Sequence, residues 1–235
     1  MESFGGALVQ AVGLILSWDP ELIGIIGLSL QVTLAAVAIA CLIGLPLGAA
    51  VGAFRFRGRM LASIVLNALM GLPPVVVGLL VYLMLSASGP LGPLRLLYTP
   101  TAMVIAQVIL VTPIVAALTK EVVEELHREY AEQFASLGVR PIARMGALLW
   151  DARFSLLTVA LAGFGRAVAE VGAVLIVGGN INHVTRVMTT TIALETSKGN
   201  LELALALGVV LLMLALMVNA LVMAVRSSAV RAAYV

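Results

Sequence analysis

An all-α, polytopic membrane fold is the class this sequence predicts, and three observations predict it. Of the 235 residues, 62% are hydrophobic and only 11% charged, with mean hydropathy +1.13; a soluble domain carries about a quarter charged residues. The apolar runs reach about 20 residues or more and do not alternate, so helices rather than barrel strands satisfy the backbone in lipid. Finally, eleven of the charged residues fall in one stretch: Lys120, Glu121, Glu124, Glu125, Arg128, Glu129, Glu132, Arg140, Arg144, Asp151 and Arg153. A segment that polar between apolar runs lies in water and is too long for a turn.

Taken in order, the chain divides into an N-terminal segment 1–20, a membrane domain 21–225 containing the polar region 120–154, and a tail 226–235. Residues 4–18 are apolar but short, with Gly5, Gly6 and Gly13 inside and Trp18-Asp19-Pro20 at the end. They predict an interfacial helix with Trp at headgroup level. Met1-Glu2-Ser3-Phe4 lacks the basic start of a cleaved signal peptide, so the N-terminus is expected to be retained. The first span, 21–54, is about 50 Å long as a straight helix, more than a bilayer needs. Pro46 with Gly44, Gly48 and Gly52 predicts a kink or break near its far end. A basic loop with Arg55, Arg57 and Arg59 follows.

The second span, 60–85, holds Gly71-Leu72-Pro73-Pro74 at its middle. Two prolines remove two donors and clash with the preceding turn, so the helix must be interrupted there. Interrupted backbone at membrane depth is buried in protein or lines a wet cavity, which makes Pro73 and Pro74 pathway candidates. Residues 86–100 form a Gly/Pro-rich loop with Arg95. The third span, 101–119, carries Gln107 and Thr112-Pro113, and Gln107 and Thr112 join the pathway candidates. The fourth span, 155–177, contains Arg166 and Glu170. Residues 178–200 are polar and are expected to be a solvated loop; the fifth span is 201–225.

Five spans place the termini on opposite sides. Arg55, Arg57, Arg59, Lys120, Arg128, Arg140, Arg144, Arg153, Arg226 and Arg231 fall on one side, against Arg95, Arg186 and Lys198 on the other. The positive-inside rule makes the first side cytoplasmic, with the N-terminus outside and the C-terminus within.

Enzyme classes find little support. The chain has no His-Glu-x-x-His, no Gly-x-Ser-x-Gly and no phosphate-binding Gly-x-x-x-x-Gly-Lys-Ser/Thr loop. His127 and His183 fall on opposite sides, so no shared metal is expected, and Cys41 alone excludes an intramolecular disulfide. Arg166 and Glu170, four apart, are expected to share a helix face. Two readings stand: a structural ion pair that fixes packing, or a cationic element near an anion pathway with Glu170 holding Arg166 in place.

Glu132-Gln133-Phe134-Ala135-Ser136-Leu137-Gly138 resembles the cytoplasmic Glu-Ala-Ala-x-x-x-Gly motif of ABC importer permeases. Glu132 and Gly138 match at the family's spacing, whereas Gln133 and Phe134 replace its two alanines. Leu148-Leu149-Trp150-Asp151 stands where the family has Ile-x-Leu-Pro. Met70-Gly71-Leu72-Pro73-Pro74-Val75-Val76-Val77-Gly78-Leu79 is similar to the second-span signature of molybdate, sulfate and tungstate permeases. The stretch from Gly165 through Arg166, Glu170 and Gly172 to Gly178-Gly179-Asn180 is similar to their fourth-span signature, and 185–196 to the tungstate branch.

The resemblance implies a type I ABC importer permease fold in a prokaryotic inner membrane, working as a homodimer among membrane lipid. It implies two cytoplasmic ATPase subunits, which hold the ATP and Mg that this chain lacks, and an extracytoplasmic substrate-binding protein, with no nucleic-acid partner. Glu132, Phe134, Ala135, Leu137 and Gly138 would be the coupling residues, with Phe134 and Leu137 on one face suited to a partner groove. The implied cargo is a tetrahedral oxyanion, tungstate before molybdate or sulfate. An importer of another solute and a stand-alone channel or secondary transporter are the alternatives.

Overall fold

The computed structural model describes residues 20–233 and, before them, residues 9, 12, 13, 16 and 17, with backbone alone at 225, 226 and 228–233. The expected interfacial helix over 4–18 therefore lies largely outside the described residues. Ten α-helices and no strand occur among the described residues: α1 Pro20–Ala53, α2 Arg59–Met70, α3 Pro74–Leu85, α4 Pro100–Glu129, α5 Ala131–Ser136, α6 Pro141–Asp151, α7 Arg153–Val168, α8 Gly172–Gly178, α9 Met188–Lys198 and α10 Leu201–Ala233. Three of them, α1, α4 and α10, are long and apolar enough to cross a membrane, and the bent pairs α2/α3 and α6/α7 raise the number to as many as five.

The chain forms two compact units, and the long helices contribute residues to both. The first comprises residues 1–36, 73–107 and 167–220; the second 37–72, 108–166 and 221–235. All ten cations assigned to the cytoplasmic side belong to the second unit, and Arg95, Arg186 and Lys198 belong to the first.

Within the second unit the glycines of α1 form a contact surface. The helix runs unbroken past Pro46 for 34 residues, and Gly44, Gly48 and Gly52 present a flat edge to α4. A Cβ at Gly44 would stand 3.1 Å from the Thr112 carbonyl oxygen, one at Gly48 2.3 Å from that of Ala116, and one at Gly52 2.9 Å from that of Lys120. Both ladders repeat every four residues, so three glycines meet three carbonyls along one seam. Apolar side chains gain little from pairing in lipid, where tails are equally apolar. Close backbone approach and dispersion drive association instead. Gly163 of α7 makes a similar approach, its Cβ position 3.1 Å from Val111 and 3.2 Å from Val115.

Pro113 likewise stays inside a continuous helix, and α4 continues ten residues beyond the expected end of its span, to Glu129. The polar region therefore begins as the projecting end of a membrane helix rather than as a loop. Arg59 fastens the end of α1: Nε donates to the Val51 carbonyl at 2.9 Å and Nη2 to that of Gly52 at 3.3 Å. A cation suits the negative end of a helix. The same Nη2 pairs with Glu124 at 3.1 Å, and Lys120 pairs with Glu124 at 3.4 Å.

In the first unit, Leu22, Ile25, Met188 and Leu207 pack together from α1, α9 and α10. The expected interruption between α2 and α3 is present. Pro73 is the N-cap of α3 and Pro74 its first residue, where a missing N–H costs nothing because that donor has no intrahelical acceptor. Gly78 of α3 lies against α8, its Cβ position 2.8 Å from Ala173 Cα. The tail assigned to 226–235 continues α10 through Ala233.

The glycine seam sets a stability test. Gly48→Ala should lower stability by about 1–3 kcal/mol, because the added carbon meets backbone that cannot rotate away. Gly24→Ala, whose Cβ position has nothing within 4 Å, should be neutral or stabilising by up to ~1 kcal/mol. Thermal unfolding of the two detergent-solubilised variants checks this; equal melting points would mean that the seam is not a tight contact.

Candidate functional site

Two groups of residues carry the chemistry, one in each unit. In the first unit the fourth span departs from expectation. It breaks after Val168 and restarts at Gly172, so Arg166 lies in the last turn of α7 while Glu170 lies in the break. They do not share a continuous helix face.

Glu170, 3% exposed, uses its carboxylate to hold that break. Oε1 accepts the Ala173 N–H at 3.0 Å, satisfying one of the donors that open α8. Its carbonyl accepts the Thr189 hydroxyl at 2.9 Å. Met188 N–H in turn donates to Ser29 Oγ at 2.8 Å, and that hydroxyl donates to the Ile25 carbonyl at 2.6 Å. Broken backbone in lipid must find partners within the protein, and this chain of hydroxyls supplies them.

The expected solvated loop at 178–200 is a correction. Residues 188–198 form α9, and Thr185, Thr189, Thr190, Thr191 and Glu195 are buried. Each threonine has an internal task. Thr185 donates to the Gly178 carbonyl and accepts the Ile181 N–H. The Thr190 hydroxyl lies 2.9 Å from Asn180 Oδ1 and accepts the Val187 N–H at 3.2 Å. Thr191 donates to the Val187 carbonyl at 2.8 Å. At the far end of α9 the Lys198 ammonium donates to Glu195 at 2.8 Å and Asn200 donates at 3.0 Å. The Lys198 bond, then the Asn200 bond, hold the Glu195 carboxyl below the usual carboxylate range against its desolvation.

A small enclosed cavity gathers these groups. Ser29, Thr33, Gln107, Glu170 and Thr189 line it with Met103, Val174 and Met188. Gln107 donates from Nε2 to the Ala167 carbonyl at 3.1 Å, and its Oε1 is buried without a partner. The free volume, about 10 Å³, is near the minimum that one water needs. A tetrahedral oxyanion is much larger than that. The cavity thus serves the packing of the break.

In the second unit, α5 is the short helix expected at 132–137. It ends in a Schellman arrangement: Val139 N–H bonds the Phe134 carbonyl at 3.2 Å and Gly138 N–H that of Ala135 at 3.2 Å. Gly138 takes φ +60° to make the turn, a region that glycine enters without the Cβ penalty. Phe134 and Leu137, expected on one face, differ in their surroundings. Phe134 turns inward, edge-on to Tyr130 at 6.1 Å and beneath the Arg144 guanidinium at 5.5 Å, whereas Leu137 is 76% exposed. Glu132 and Ala135 are exposed too. Beyond the turn, Ile142 is 78% and Trp150 72% exposed. Ala152 alone joins α6 to α7, with a bend of 74°, which is how the region returns to the membrane without the proline. Tyr130 braces the far end, donating to Asp151 at 3.0 Å.

In the second unit, then, a long apolar helix leads through Tyr130 into a short helix that glycine stops and whose Leu137 is exposed. The sequence model for the binding-protein-dependent transport system inner membrane component matches residues 44–230, which include the glycine seam, the short helix α5 and the break between α7 and α8. The chain belongs to that permease family. It is 42% identical over 222 residues to the tungstate uptake system permease protein TupB of Peptoclostridium acidaminophilum, covering 94% of this chain and 97% of that protein. Over 166 residues it is 37% identical to the TupB of Campylobacter jejuni, covering 71% and 70% of the two chains. A sulfate transport system permease protein, CysW of Escherichia coli, is 28% identical over 174 residues, covering 71% of this chain and 60% of its own length.

Among the pathway candidates of this permease, Gln107 and Glu170 share the small cavity. Pro73 is exposed and Pro74 half-buried on the surface of the first unit, while Arg166 and Thr112 belong to the second. Ser29 and Thr33 escaped notice in the sequence. Their signal was two hydroxyls four apart on one helical face of a largely apolar run, and both are buried.

The role assigned to Glu170 predicts that Glu170→Gln, which keeps the acceptor, leaves stability within about 0.5 kcal/mol, whereas Glu170→Ala loses about 0.5–2 kcal/mol, the usual cost of a lost cap. Chemical denaturation of both variants in detergent is the check. A large loss in Glu170→Gln would assign the effect to charge rather than to the cap.

Proposed function

We propose that this chain is the membrane-spanning subunit of an ATP-driven importer that carries a tetrahedral oxyanion, tungstate, inward by alternating access. The observation that carries the proposal is 42% identity to a tungstate uptake permease across 94% of the chain. The projecting α4–α5 lever of the second unit supports it physically.

The proposed topology has five spans, formed by α1, α2 with α3, α4, α7 with α8, and α10. The N-terminus is outside and the polar region 120–154 is cytoplasmic, as the concentration of basic residues in and around that region favours. Two copies of the chain form the pathway. The interruption at Pro73 lies on the surface of a single chain, and such backbone requires protein or a wet cavity beside it; a second copy supplies either. The small size of the cavity in the first unit also favours a route between copies.

Energy comes from two cytoplasmic ATPase subunits, and an extracytoplasmic binding protein delivers the anion. Leu137 and Ile142 are the apolar anchors of the ATPase contact, with Glu132 and Ala135 beside them. Phe134 stiffens the contact from behind through Tyr130 and Arg144. Closure of the ATPase pair draws α5 inward, and α4 carries that displacement into the membrane. Arg166 favours anion passage by its charge, independently of any shared face with Glu170.

Two measurements test this, both in proteoliposomes holding the permease, its ATPase and the binding protein. Gly138→Pro cannot reach φ +60°, since proline fixes φ near −65°; it should abolish tungstate uptake and the stimulation of ATP hydrolysis by loaded binding protein. Stimulation that survives would remove α5 from the coupling path. Arg166→Gln should reduce tungstate uptake at unchanged expression. Undiminished uptake would leave Arg166 a packing residue only, and preferential uptake of molybdate or sulfate would reassign the cargo.

A further inference from the structure

The second unit contains a cavity that the transport reading leaves unused. It measures about 540 Å³ and is lined by Ala53, Phe54, Arg55, His127, Ala131, Pro141 and Arg144. Three nitrogen-bearing side chains face it and no carboxylate lines it. Glu124, the nearest acid acting on His127, is already paired with Arg59 and Lys120. Among the described residues Arg55 forms no ion pair or hydrogen bond. Arg144 spends Nη2 on the Val139 carbonyl at 3.3 Å, while its Nε is buried without a partner, as is Nδ1 of His127. Arg55, exposed and without an intramolecular partner, adds a guanidinium to the same cavity. Pro141, the first residue of the eleven-residue α6, also lines it, so a helix begins at the cavity wall.

We infer that this cavity binds a phosphate-type tetrahedral oxyanion. Two guanidinium groups and an imidazole line one cavity that no acid lines, the donor set such an anion selects. The group can come from free solution or from the headgroup of an anionic lipid, and the chemistry of the contact is the same. Ala131 lines the cavity, and the Arg144 guanidinium lies over Phe134 of α5. An occupant therefore fixes the arginine that braces the coupling helix. The inference does not rest on the identity of the transported solute.

The experiment uses the full-length permease in nanodiscs. In phosphatidylcholine discs, inorganic phosphate is titrated by calorimetry; in a parallel arm, retention of phosphatidylglycerol from mixed discs is measured by native mass spectrometry. Arg55→Gln leaves every intramolecular bond in place and should weaken binding at least tenfold in whichever arm shows it. Arg55→Gln with Arg144→Gln should abolish it, while Arg57→Gln, outside the cavity, should not change it. Phosphate binding assigns the site to a free oxyanion, and selective phosphatidylglycerol retention assigns it to a lipid. Binding in neither arm, or binding indifferent to Arg55→Gln, overturns the inference.

Discussion

The contact between the glycines of α1 and the carbonyls of α4 is the constraint on which the second unit depends. In lipid, apolar area alone does not choose partners, so helices associate where backbones can approach closely. Gly44, Gly48 and Gly52 allow that approach over two helical turns, and every larger side chain would meet a carbonyl. α4 is continuous through Pro113 and out to Glu129. From there one residue, Tyr130, leads to α5. Under the proposed coupling, a close-packed seam would pass a movement of α5 on to the membrane helix.

The first unit solves a different problem. Its break between α7 and α8 would strand backbone groups in the membrane; the Glu170 carboxylate accepts the Ala173 N–H, while Thr189 and Gln107 donate to the Glu170 and Ala167 carbonyls. The sequence offers Glu170 as one half of an intramembrane ion pair, with packing and pathway roles equally open. The hydrogen bonds favour packing for Glu170: its carboxylate caps α8, and its carbonyl ties the break to α9.

Much of the fold was legible in the residues. The double proline marked the α2/α3 interruption because proline at N1 has a single physical meaning there. Glu132 and Gly138 marked α5 and its stop, since only glycine takes the required positive φ without strain. What escaped had physical reasons too. Pro46 with Gly44, Gly48 and Gly52 suggested a kink or break, yet the helix continues through Pro46. The spacing of four among those glycines was also a packing code. The threonines at 189–191 looked solvated because hydroxyls are polar, although each was needed internally. Phe134 and Leu137 are three apart, but the inward pull of Tyr130 and Arg144 separates their fates. Nothing in sequence spacing reports such a contact across the polar region.

The central claim is that α5 is the point of contact with the ATPase. Cys41 is the only cysteine, so Cys41→Ala gives a cysteine-free chain, and Leu137→Cys places one thiol at the tip of the lever. Disulfide cross-linking of that thiol to cysteines placed in the cleft of the partner ATPase, followed through the ATP cycle, is the most direct measurement. The account predicts a cross-link that forms efficiently and changes in yield between nucleotide-free and ATP-bound states. Absence of a cross-link in every nucleotide state, with the complex intact, would contradict it.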